Sequence, residues 1–462
     1  MMDELQELID NGPDNVYIEA RYHKREQNEI LIKKGKFERV ITDDHTGIGI
    51  RVLVDGAFGY ASTNSVEMNI IKKTLNKAIT VAKNLAPMMK EKIVLAPIEP
   101  IKASYKSIGR DSLLDHSIEE RISLAKEVDN FILNADSRIK GSMFHLREPF
   151  EYKIILNSDG SRVEISDTRP DIFIQSVAAE NGKIMSFKAV DGITGGWEIF
   201  ERSPPLQMAQ KAVDISLKLL DAPLAKGGGQ IIVMDPPVVG FICHEAIGHT
   251  VECDFVLAGS VVQGKIGKKV ANEIVTMVDG GEQQTAGGWL PVDDVGVKTK
   301  PVKIIEKGEL KSYLHSRATA QLFNVEPCGN ERAFEYDNEP LIRMRNTYLE
   351  PGDFTREEII EDVKFGYLLV QPGGGQADST AEFMFTVHEA YEIRNGEIGN
   401  LVKNITLTGN AFEVLESIDA IGKNWELNSG SDFCYKWQPA KVDGGGGTTR
   451  AKAIISGELG ES

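Results

Sequence analysis

The sequence predicts an α+β protein of two domains, with mixed or antiparallel sheets flanked by helices. Three observations lead there. Short runs alternating apolar and polar residues, separated by glycine-containing turns, fill much of residues 16–61 and 139–202. Amphipathic segments with helix caps interrupt them. After Gly227-Gly228-Gly229, the apolar run 231–234 leads into a helix opened by Pro236-Pro237.

The elements follow in order. Residues 2–9 place Leu5, Leu8 and Ile9 at helical spacing, and Asn11-Gly12-Pro13 stops that helix. Val16, Ile18, Ala20 and Tyr22 then alternate with polar residues. Further strand segments around 30–32, 39–41, 48–54 and 58–61 are separated by Lys34-Gly35, residues 43–47 and Asp55-Gly56, which predicts an antiparallel meander. Ser65 is placed to cap a helix with Met68, Ile71, Leu75, Ala78, Ala82 and Leu85 on one face, ended by Pro87. Ser117 and Glu120 have capping-box spacing and open a second helix through Ala135. Strands return over 139–202, with turns at Ser158-Asp159-Gly160 and Glu180-Asn181-Gly182. A third amphipathic helix covers 205–220. The glycine run behind it sets the expected boundary between an N-terminal domain, 1–222, and a C-terminal domain, 223–462. The second domain adds strands near 275–279 and 295–314, a short helix from Ser316, and a helix capped by Thr355 with Glu358. In a late strand, Phe383, Phe385 and Val387 alternate with Met384, Thr386 and His388 before the turn Asn395-Gly396.

Composition narrows the function. With 462 residues, 41% of them hydrophobic and only 18 prolines, the chain buries a substantial core and is not disordered. A net charge of −17 without a dense Lys/Arg cluster argues against nucleic acid as a partner. No apolar run approaches the roughly 18 residues of a membrane span, and the acidic N-terminus lacks a signal peptide's basic and apolar regions. Four cysteines in so long a chain make a sparse disulfide framework, so a reducing cytoplasm is expected.

The chemistry concentrates in Phe241-Ile242-Cys243-His244-Glu245-Ala246-Ile247-Gly248-His249. Two histidines five residues apart lie about 140° apart on an ideal α-helix and cannot share a metal, whereas a spacing of four gives about 40°. Sharing a metal therefore needs a local distortion of the helix; a π-type turn brings the two onto one face, and Gly248 is where a helix loosens or ends. Glu245, beside a histidine and among apolar neighbours, is a candidate base for activating water at a metal. Spacing alone leaves the third ligand open among Glu252, Cys253, Asp254, His315, Cys328, His388 and Cys434.

His244-Glu245-Ala246-Ile247-Gly248-His249-Thr250-Val251-Glu252-Cys253-Asp254 resembles the HEAxGHxxExD signature of the TldD/PmbA family of zinc metallopeptidases. Other blocks are similar in family order: Glu19-Ala20-Arg21, Gly47-Ile48-Gly49-Ile50-Arg51, Gly59-Tyr60-Ala61-Ser62-Thr63-Asn64, Arg343-Met344-Arg345-Asn346-Thr347-Tyr348 with Glu350-Pro351-Gly352, Gly373-Gly374-Gly375-Gln376-Ala377-Asp378, and Glu389-Ala390-Tyr391 through Asn395-Gly396. The intact motif resembles the catalytic TldD type rather than the PmbA-type partners that lack it. The resemblance implies a metal-binding helix in the C-terminal domain, with zinc held by His244, His249 and a late cysteine. Cys434, in Ser431-Asp432-Phe433-Cys434, occupies the matching position, although Tyr435-Lys436-Trp437 and residues 444–447 depart from the family's usual ending. A His2Cys set favours zinc without excluding iron or manganese. Cys253 reads as a small buried residue.

The resemblance further implies hydrolysis of small or unfolded peptides, with Glu245 as general base, by a homodimer or a heterodimer with a PmbA-like paralogue. Gly373, Gly374 and Gly375 lack the ending of a phosphate loop and read either as a tight turn or as a close backbone approach to a peptide. Arg343, Arg345 and Asn346 read either as oxyanion or substrate-carboxylate ligands or as surface ion pairs. A metal-dependent amidase acting on a non-peptide amide, or a non-catalytic peptide-binding subunit with a structural metal, stays open at this point.

Overall fold

A long antiparallel meander organises the first half, because Lys34-Gly35 and Asp55-Gly56 both adopt the left-handed conformation that tight hairpin turns require. The computed structural model describes residues 1–377, 380–427 and 433–457; Asp378, Ser431 and Asp432 of the family blocks lie outside them. Helix α1 (Met2–Asp10) precedes strands β1 (Tyr17–Lys33), β2 (Lys36–Val54) and β3 (Ala57–Thr63). Residues 43–47, expected as a turn, instead continue β2. The polar run Thr42-Asp43-Asp44-His45-Thr46 is compatible with a strand there because residues 36–45 are exposed.

Helix α2 (Met68–Leu85) buries Ile71, Leu75, Ala78 and Ala82, the face the periodicity predicts. Ser65 does not cap it. Its hydroxyl accepts from the Glu67 amide, and the helix begins behind Glu67. After β4 (Lys102–Ser107), helix α3 (Ile118–Ala135) opens on the Ser117/Glu120 capping box. Strands β5 (Ile139–Asn157), β6 (Arg162–Thr168), β7 (Asp171–Glu180) and β8 (Lys183–Gly192) complete an eight-stranded mixed sheet. Helices α4 (Ile199–Arg202) and α5 (Pro205–Asp221) follow, and α5 packs on β7 and β8.

Beyond the glycine run, β9 (Gly228–Met234) pairs in parallel with strand Phe365–Ala377 and antiparallel with strand Thr449–Ile455. The pairing path continues through Ile405–Asn410 and Glu382–Arg394 back to Phe365–Ala377, so five strands close on themselves. Phe383, Phe385 and Val387 point into the core, as their alternation predicts. Helix α6 (Pro236–Ile242) packs against strand Asp443–Gly446 of a second, six-stranded sheet. The contact is backbone on backbone, since a Cβ at Gly240 would stand 2.3 Å from the Gly444 carbonyl carbon. Gly444 and Gly446 thus let the helix that leads into the metal motif sit flush on the sheet.

Several buried charges join the two halves of the sequence. Arg51 on β2 donates to Glu19 at 2.7 Å and to Glu331 at 2.9 Å, all three being buried. Glu19 and Arg51 belong to blocks that resemble the family, and here they serve the packing.

Candidate metal centre

Helix α6 does not continue as an α-helix. Residues Cys243–Gly248 form a π-helical turn, and His249–Val251 a short 3-10 turn. This widening is what a five-residue spacing needs to bring both imidazoles to one side. The rings of His244 and His249 meet edge to face with centroids 5.2 Å apart. Cys434 arrives from hairpin Phe433–Lys436/Gln438–Lys441, where it pairs with Ala440. Its sulfur lies 3.2 Å from His249 Nε2. One ligand atom from each of His244, His249 and Cys434 lies within 4.8 Å of the others.

The donor set fits a single metal ion. Ligands on one tetrahedral zinc stand about 3.5 Å apart, near the 3.2 Å between Cys434 Sγ and His249 Nε2 and within the 4.8 Å that bounds all three. His244 is buried, and among the described residues its ring nitrogens make no hydrogen bond of ordinary geometry, the Cys434 sulfur being the polar group that acts on it most. A buried imidazole without such a bond is costly, and a cation shared with the sulfur resolves it. Burial by itself would raise the Cys434 thiol, but the His244 and His249 imidazoles reverse that and bring it down to about 4. Burial opposes charge on His249, and the Glu252 carboxylate with the Cys434 sulfur carries its pKa well above the usual imidazole range. Both shifts favour a thiolate beside positive charge, the form in which a sulfur binds a metal.

Glu252 supports the ligands from behind. Fully buried, it accepts from His249 Nδ1 at 3.0 Å, which turns Nε2 towards Cys434. Lys436 lies 3.3 Å from the same carboxylate and 2.7 Å from Asp254. Lys436, a departure from the family ending, therefore neutralises the two late acids of the motif. Of the open third-ligand candidates, Glu252 orients His249, Asp254 pairs with Lys436, and Cys253 is buried away as a small core residue. Among the described residues, only the His244, His249 and Cys434 group has ligand atoms gathered in this way.

The arginine block needs correction. Arg343 and Asn346 are almost wholly buried, at 1% and 0% exposure, so neither forms a surface ion pair, and neither is among the residues lining the two cavities that Glu245 borders. Arg343 donates to the Cys434 carbonyl at 2.8 Å and the Gln438 carbonyl at 2.7 Å, fixing the hairpin that carries the thiol. Asn346 ties the Gly280 carbonyl to the Gly288 amide. Arg345 makes an interior pair with Asp279 at 2.7 Å.

Gly373, Gly374 and Gly375 form no tight turn. They lie within strand Phe365–Ala377, whose register against its neighbour shifts between Pro372 and Gly375. All three line a cavity of about 660 Å³ that also reaches Glu245, Phe433, Lys188 and His388. Glu245 also borders a second, smaller cavity of about 60 Å³ beside His244 and Cys434, so this residue lines both the ligand cluster's cavity and the larger cleft. Lys188 and His388 are cleft residues that the sequence did not single out for this role.

Family models match in three consecutive segments: PmbA/TldA metallopeptidase domain 1 over residues 18–86, the central domain over 111–220 and the C-terminal domain over 228–454. A metalloprotease of Methanocaldococcus jannaschii is 35% identical over 98% of this chain and 99% of its own. A zinc metalloprotease TldD homolog of Saccharolobus solfataricus is 29% identical over 96% of both chains. The crystal structure of TldE from Thermococcus kodakarensis shares the fold, with a TM-score of 0.80 at 17% identity over 99% of this chain and 100% of that one. With all three segments matched in order and a full-length relative above 30% identity, this chain belongs to the PmbA/TldA metallopeptidase family.

Proposed function

We propose that this family member is a zinc-dependent peptidase of the TldD type, acting on small or unfolded peptides, with Glu245 as its general base. The observation that carries the reading is the convergence of His244, His249 and Cys434 beside a carboxylate that borders a cleft. Zinc held by these three groups supplies Lewis acidity, which acidifies a water and polarises a carbonyl. Glu245 takes the proton from the attacking water and returns it to the leaving amine. Glu252 keeps His249 oriented, and Arg343 keeps the Cys434 hairpin in place. The backbone of Gly373, Gly374 and Gly375 offers main-chain hydrogen bonds to an extended peptide, which suits substrates of varied sequence.

Access through a cleft of this size favours unfolded chains. Assembly with a second copy or a paralogue is consistent with the resemblance to the TldE fold. Among the described residues, no helix is long and apolar enough to cross a membrane. A reducing cytoplasm suits four free cysteines, one of them the proposed ligand.

The test compares wild type with Glu245→Gln for zinc content and cleavage of an unstructured fluorogenic peptide. The variant is expected to retain zinc and lose about 100-fold or more in kcat. Unaltered cleavage overturns the role of Glu245.

A further inference from the structure

Among the described residues, one cation in the wall of the cleft has no acid paired with it. Lys188 lies on β8, where Phe187 and Ala189 turn inward onto α5 and Lys188 and Val190 turn towards the cavity. The other cations there are paired: Lys211 with Glu389 at 2.7 Å, and Arg356 with Asp235 by two contacts of 2.8 Å. Among the described residues Lys188 has no carboxylate partner, and its ammonium lies 5.4 Å from the centroid of the Phe173 ring. The Lys188 carbonyl accepts from Gln371 at 2.6 Å, which ties β8 to the strand bearing the three glycines.

His388 stands at the same place. A Cβ at Gly373 would lie 2.8 Å from His388 Nε2, so the imidazole rests directly on the glycine backbone. Desolvation there, and then the Lys188 ammonium, push His388 down from the ordinary imidazole value, which favours the neutral ring. A half-buried lysine and an imidazole on one stretch of cleft can both donate to one carboxylate, while the Phe173 ring holds the ammonium in place.

We propose that Lys188, with His388 beside it, is a carboxylate-binding subsite of this cleft. Preferred peptides then carry an Asp or Glu side chain, or their own free C-terminus, within reach of it. The inference rests on the peptidase reading for the occupant of the cleft, and its test is made by binding so that it does not depend on turnover. Charge-assisted contacts of this kind change affinity by about tenfold or more.

Fluorescence anisotropy on the full chain bearing Glu245→Gln would compare four versions of one unstructured peptide, with Glu or Gln at a central position and a free or amidated C-terminus. At least one carboxylate-bearing version is expected to bind about tenfold tighter than the neutral amide. Which version gains identifies the source of the carboxylate. Adding Lys188→Met should bring that affinity down to the neutral peptide's level, and Lys188→Glu should shift preference to a peptide with Lys at the central position. Equal affinity for all four, binding of none, or a preference that survives Lys188→Met overturns the subsite. Selective binding without cleavage by wild type counts instead against the catalytic reading, and cleavage indifferent to carboxylates counts against the subsite alone.

Discussion

Glu252→Gln isolates the support behind the metal ligands. The change keeps shape and volume, removes one charge, and leaves an oxygen able to accept from His249 Nδ1, which it now holds at 3.0 Å. Its neighbours retain other partners: Lys436 keeps Asp254 at 2.7 Å, and Arg343 keeps the Cys434 and Gln438 carbonyls at 2.8 and 2.7 Å. The fold is therefore expected to survive, while the imidazole loses the carboxylate that raises its basicity. Loss of such a partner weakens metal binding by about 10- to 100-fold, or about 1.4–2.7 kcal/mol. Zinc Kd measured against a chromophoric chelator reads this directly, with urea unfolding of the metal-stripped protein as the companion measurement. An affinity within twofold of wild type would refute the orienting role. An equal loss of stability without metal would assign Glu252 to folding instead.

Two further expectations concern the scaffold. Burial, and then Lys153, lower His23 to about 4, so below the ordinary value near 6.5 the unfolded chain takes up a proton that the folded chain refuses. Stability linked to His23 is thus fully present above pH 6.5 and lost as pH falls to 4, by about 3 kcal/mol. Urea unfolding of His23→Gln should lose less stability than wild type over that interval, and parallel curves would contradict the assignment. Gly240→Ala places a methyl group 2.3 Å from the Gly444 carbonyl carbon, and overpacking of that kind costs about 1–3 kcal/mol. Thermal unfolding should show Tm lowered by several degrees, whereas Gly229→Ala, whose Cβ meets nothing within 4 Å, should leave Tm in place. Equal effects at the two glycines would contradict the close helix-to-sheet approach.

What the sequence discloses is local chemistry. The capping pairs Ser117/Glu120 and Thr355/Glu358, the turns at Lys34-Gly35 and Asn395-Gly396, and the amphipathic faces of α2 and α5 are dictated within a few residues. The distortion at the motif is legible for the same reason, since spacing and helix geometry require a departure from the α-helix for the two histidines to share a metal, and a π-turn is the form it takes. Misreadings arise where meaning depends on distant chain. Residues 43–47 look like a loop until β1 pairs along them. Arg343 looks like a surface or ligand-binding arginine because its carbonyl partners lie 91 and 95 residues away. Gly240 is indistinguishable from any helical glycine until Gly444 comes against it. Lys188 draws no notice because its cleft exists only once β8 meets strand Phe365–Ala377. The resemblance to the family supplied Cys434, a residue that neither spacing nor composition singled out.

The central claim is that His244, His249 and Cys434 bind one metal ion beside Glu245. Anomalous diffraction from crystals of the zinc-loaded protein, recorded on both sides of the zinc absorption edge, tests it most directly. The account predicts one peak with imidazole nitrogens at about 2.0–2.1 Å and the Cys434 sulfur at about 2.3 Å, and a coordination position open towards Glu245. A peak ligated by other residues, or one closed by a fourth protein ligand, would contradict it.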